Sequence, residues 1–82
     1  MTWSYRIVKY RDPGPGPGFG LHEVYYDKED RPYRMTSAPC SFACDPHEGR
    51  AGIIKSLRFA LRDALGRDVL AEPKKWPGKA PA

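Results

Sequence analysis

The chain has only two cysteines, two histidines and no apolar run near the roughly 18 residues that span a bilayer. Each scarcity excludes something. Without a long apolar run no membrane-spanning helix is expected. Met1-Thr2-Trp3-Ser4-Tyr5-Arg6 also lacks the apolar stretch of a secretory leader, so a cytoplasmic location is expected. Two cysteines do not make a disulfide scaffold. If 40–44 is extended, Cys40 and Cys44 stand about 13 Å apart at Cα, beyond the roughly 7 Å limit for a bridge. Cys40, Cys44 and His47 read as C-x3-C-x2-H, with His22 as the only other histidine. Structural zinc takes four converging ligands, usually from two knuckles. A single knuckle predicts reduced thiols and no metal.

Catalytic patterns are equally scarce. No Ser/His/Asp or Cys/His motif is present, and His22 and Glu23 alternate across a strand, which separates their side chains. The segment DPGPGPGFG, residues 12–20, is glycine-rich but unsuited to phosphate, because its prolines delete the backbone donors a phosphate loop needs. No enzyme and no cofactor are expected.

What is present is one small domain's worth of chain, 82 residues with a net charge of +4. The excess is uneven, +1 over residues 1–41 and +3 over 42–82. A core this thin leaves only about 3–5 kcal/mol of stability. Trp3 to Arg11 (WSYRIVKYR) alternates with a period of two and predicts a strand with Trp3, Tyr5 and Ile7 on one face. Leu21 to Asp27 (LHEVYYD) predicts a second strand. Leu21, Glu23 and Tyr25 share one of its faces, His22, Val24 and Tyr26 the other. Pro32 to Ala38 predicts a weaker edge strand with Tyr33 and Met35 inward.

Asp45-Pro46-His47-Glu48 carries helix-start chemistry, an N-cap acceptor, proline at N1 and glutamate at N3. Gly49 and Gly52 weaken the first turns, moving the firm start towards Arg50. Ile53, Ile54, Leu57, Ala60, Leu61, Ala64 and Leu65 recur at helical spacing and predict the buried stripe, with Gly66 ending the helix. Val69 and Leu70 are expected to dock back on the sheet. The expectation is therefore an α+β domain over residues 1–71, a three-stranded antiparallel sheet packed against one C-terminal amphipathic helix in the order β-β-β-α. Residues 72–82, rich in proline and lysine, read as a flexible basic tail.

Burying the Ile54/Leu57/Leu61 side leaves Lys55, Arg58, Phe59 and Arg62 facing outward, a basic row with an aromatic among it. Such a face suits an acidic protein surface, phosphates or stacked bases. The alternative for Phe59 is packing under Trp76, the N-terminal segment or another subunit. Tyr10 and Tyr26, with Tyr33, are a second candidate contact surface, on the sheet face away from the helix, the alternative being that they are ordinary strand formers.

The segments Tyr5-Arg6-Ile7-Val8, Leu21 to Asp27, Ala60-Leu61-Arg62-Asp63-Ala64 and Val69-Leu70 carry a resemblance. They resemble a group of short uncharacterised bacterial proteins that combine YRIV, LHEVYYD and a helix ending in AL-x-DA. The resemblance implies the fold and transfers no activity. The chain departs from the group in its GPGPG insertion and at Met35, where the group tends to have tryptophan. The β-β-β-α order is also similar to antitoxins of the HicB type, and the size to phage-borne inhibitors such as anti-CRISPR proteins. These readings make the chain a small non-catalytic protein-binding or regulatory module, with a homodimer through the weak sheet edge as one partner arrangement. Nucleic-acid binding through Lys55, Arg58 and Arg62, assisted by Lys74 and Lys75, is the alternative.

Overall fold

The computed structural model describes residues 2–11, 18–42 and 46–81. Its elements in chain order are β1 (Trp3–Lys9), β2 (Phe19–Tyr26), β3 (Pro32–Met35), α1 (Gly49–Gly66) and β4 (Leu70–Ala71). The sheet is four-stranded and mixed, in the order β3-β2-β1-β4. β1 and β2 pair antiparallel with Trp3 opposite Tyr25 and Tyr5 opposite Glu23, so the alternation in the two segments falls into one register. The fourth strand is the departure from expectation. Leu70 and Ala71 do more than dock: they pair parallel to Val8 and Lys9.

The helix starts later than its capping residues suggest. Asp45 lies outside the described residues, 46–48 form a turn, and Glu48 holds the N-cap position without a side-chain cap bond. Gly49 has φ of +55°, a conformation in which glycine meets no Cβ penalty. Among the described elements α1 packs on β1 alone, on the face that carries Trp3 and Tyr5.

The best-buried side chains sit on the other face. Ser4, Val8, His22, Val24 and Tyr26 are all buried, with Tyr10, Met35 and Leu70 packed around Val8, Val24 and Tyr26. The segment expected to be a free tail is tied to this sheet at two points. The Glu72 amide donates to Lys9 O beside β4 (2.8 Å), and the Gly78 amide donates to Pro32 O on β3 (2.8 Å). Those anchors lie at opposite edges of the sheet. Six residue steps at about 3.3 Å cover about 20 Å, the diagonal of a sheet four strands wide. With α1 on one face, the tail crosses the other, and Pro73, Trp76 and Gly78 are half-buried along it. A Cβ at Gly78 would collide with the Arg31 carbonyl, so only glycine allows this approach.

Asp27 ties the tail to the turn after β2. Its Oδ1 accepts from the amides of Glu29 and Arg31 (both 2.9 Å), and its Oδ2 from Arg31 Nε and the Lys79 amide (both 3.2 Å). The Arg31 amide foremost, with those of Lys79 and Glu29 and the Arg31 guanidinium, holds this carboxyl below the ordinary 3.8. A carboxyl lowered by folding stabilises the fold above its ordinary value and loses that contribution as pH falls through the folded one. Asp27→Asn is therefore expected to melt below the wild type at neutral pH. The two melting curves should converge as pH falls well below 3.8. Circular dichroism melts across that range test it, and a gap that stays constant with pH would assign the effect to something other than the charge.

Candidate functional site

The seat of α1 on β1 determines which residues are left for function. Phe59 stacks on Trp3 with centroids 5.7 Å apart and meets Tyr5 edge-on at 5.6 Å. Ala60 and Asp63 are buried, and Asp63 Oδ2 accepts the Tyr5 amide at 3.0 Å. That amide needs an acceptor because β4 pairs only with Val8 and Lys9 and leaves the rest of this edge open. Gly52, Ser56 and Ala60 recur every fourth residue beside Phe59 and Asp63. Ala60, the buried member of this row, is small enough to let the helix backbone lie close to the strand.

Of the predicted buried stripe, Ala60 is buried and Ile53, Ile54 and Ala64 are half-buried, but the three leucines point away from the sheet. At about 100° per residue, Leu61 and Leu65 stand about 160° round the helix from Asp63. They are 60% and 80% exposed, and Leu57 is 46% exposed. Two forces turn the helix this way. Phe59 finds aromatic partners on β1, and Asp63, the only acid in the helix, supplies the acceptor an open strand edge lacks.

The sequence-predicted site residues divide accordingly. Lys55, Arg58 and Arg62 are exposed as expected. Phe59 is not an outward aromatic among them: it is half-buried against the N-terminal strand, the alternative the sequence left open. Arg62 lies over the Phe59 ring at 4.6 Å, with Nη2 3.6 Å from Asp63 Oδ1. Tyr26 is buried, its hydroxyl 2.9 Å from Ser4 Oγ, and the Arg67 guanidinium lies over its ring. Tyr10 is half-buried with its hydroxyl 2.6 Å from His22 Nε2. These two tyrosines share the face predicted for them, but they help build the interior there and are not a contact surface.

Leu57, Leu61 and Leu65 were missed as surface residues. The available signal was the second face of the same helix, where a lone acid and a row of small residues sit beside a phenylalanine.

Among the described residues, a further set of titratable groups gathers on the helix side of the sheet. The Tyr25 hydroxyl donates to Glu23 Oε1 (2.9 Å), and that bond foremost raises the phenol above its ordinary range. Burial foremost, then the charges of Cys40, Glu23 and Asp63, raises Tyr5. Burial, then Glu23, also pushes the Cys40 thiol up. Each shift favours the protonated group, the opposite of what activates a thiol or phenol as a nucleophile. Cys44 lies outside the described residues, and His47 is exposed in the turn before α1. Among the described residues no group of three or more His, Cys, Asp or Glu side chains could hold a metal ion. None of the described helices is long and apolar enough to cross a membrane.

Comparison with protein-family models, with curated proteins and with solved structures finds no match. The functional reading therefore rests on the geometry above.

Proposed function

We propose that this protein is a small non-catalytic binding module that engages a protein partner through the outward face of α1. The observation that carries this reading is the exposed row Leu57, Leu61, Leu65 on the only helix described, with Lys55, Arg58 and Arg62 beside it. Exposed apolar side chains in a contiguous row mark interaction surfaces far more often than scattered ones do. The leucines also favour a protein over a nucleic acid, because phosphates reward the cations and leave the apolar row without a partner.

Pairing of copies through the sheet edge is less favoured. β3 spans only four residues, begins with proline and already gives its Pro32 carbonyl to Gly78.

The test is site-specific photo-crosslinking in the native host. A benzophenone side chain at position 61 is expected to give a discrete protein adduct, absent when the probe stands at position 28 in the β2–β3 turn. Leu61→Asp should fold normally, with stability within about 0.5 kcal/mol of wild type because it removes no buried contact, and should lose partner binding. A nucleic-acid adduct, or none from position 61, would refute the reading.

A further inference from the structure

We infer that the occupant of this face is an acidic amphipathic helix of a partner protein, an inference that rests on the binding role proposed above. Shape comes first. Leu57, Leu61 and Leu65 form an exposed i, i+4, i+8 ridge, and the half-buried Ile54 extends it one turn towards the N-terminus. From Ile54 to Leu65 the ridge runs about 16 Å. Ridges of this spacing interdigitate with the corresponding ridge of another helix.

Charge selects among helices. Within α1 the charged residues are Arg50, Lys55, Arg58, Arg62 and Asp63, and Asp63 is buried against the Tyr5 amide. Lys55, Arg58 and Arg62 all lie along one flank of the leucine ridge, and no acid of α1 lies on the other. A partner helix that buries the ridge must set its own flank against these cations. Carboxylates at helical spacing answer that requirement.

A second copy of this chain fits poorly, because an antiparallel pairing of α1 with itself would bring the Arg58 and Arg62 rows of the two copies together, and a parallel pairing would leave both rows without an acid to meet. An anionic leaflet would reward cations on both flanks of the ridge, and here they line one.

Two synthetic helical peptides with identical leucine spacing, one with glutamates on its flank and one with lysines, separate these possibilities in a ¹⁵N-resolved NMR titration of the full chain. Vesicles of phosphatidylcholine and phosphatidylglycerol form the third arm. The acidic peptide is expected to shift the Leu57, Leu61 and Leu65 signals and to bind at least about tenfold more tightly than the lysine peptide. Arg58→Glu/Arg62→Glu should invert that preference, Lys55→Glu should weaken it with less risk to the Phe59 stack, and Leu61→Asp should abolish both. Equal binding of the two peptides would overturn the acidic partner while leaving the docking face in place. Response to vesicles alone, self-association on concentration, or silence towards both peptides would each overturn the inference. The crosslink from position 61 separately decides whether the broader reading survives.

Discussion

Removal of residues 72–82 is expected to abolish the cooperative unfolding transition of this domain. The segment spans from Lys9 O at one edge of the sheet to Pro32 O at the other. Val8, Val24 and Tyr26, the most deeply buried apolar side chains described, lie on the sheet face opposite α1, between the strands these anchors join. Full burial of a side chain of this kind contributes about 1.5–3 kcal/mol. A domain this small has only about 3–5 kcal/mol in total, so uncovering two of the three suffices to unfold it. Thermal denaturation followed by circular dichroism makes the test. Trp76→Ala should lower the midpoint by part of the same amount, and a truncated chain that melts like the full one would show that the tail is dispensable.

His22→Ala is expected to be the most damaging single substitution, at about 3–5 kcal/mol. The ring is fully buried, and both of its nitrogens have partners. Nδ1 faces the Thr36 carbonyl at 2.9 Å and Thr36 Oγ1 at 3.1 Å. A carbonyl only accepts, so Nδ1 carries a proton, and in the neutral ring Nε2 accepts from the Tyr10 hydroxyl at 2.6 Å. Alanine would leave a cavity, a carbonyl and a hydroxyl without their bonds. Gly20→Ala should act on the same network from outside, because its Cβ would collide with the Tyr10 hydroxyl. Urea denaturation checks both. A loss below about 1 kcal/mol for His22→Ala would mean that water restores the bonds.

The strands were legible because period-two alternation and side-chain type agreed in Trp3 to Lys9 and in the LHEVYYD segment, and the observed register joins their like faces. The existence of the helix was legible too, from the recurrence of apolar residues between Ile53 and Leu65. Its orientation was not. Periodicity identifies an apolar stripe, but it cannot say whether that stripe or a face of small residues with one aromatic meets the sheet. Long-range pairing settled it: Phe59 against Trp3, and Asp63 against the Tyr5 amide, 58 residues apart in sequence. The cover given by residues 72–79 was hidden for a related reason. Prolines and lysines carry no signal of burial, and apart from the Glu72 carboxylate on the Arg11 amide the bonds that hold the segment come from its backbone, where composition has no voice. Lys55, Arg58 and Arg62 were found because exposed cations stay exposed under either orientation. The leucines beside them were assigned to the interior by the same rule that usually places leucines correctly.

The seat of α1 on β1 through Phe59 and Asp63 also separates two sets of residues. Asp63, which secures the helix, and Leu61 and Leu65, which meet the outside, occupy opposite sides of one cylinder and share few neighbours. Changes at 61 and 65 should therefore combine almost additively with changes at Asp63. The domain can exchange one set of outward letters for another, and with it one recognised surface for another, while keeping the same architecture.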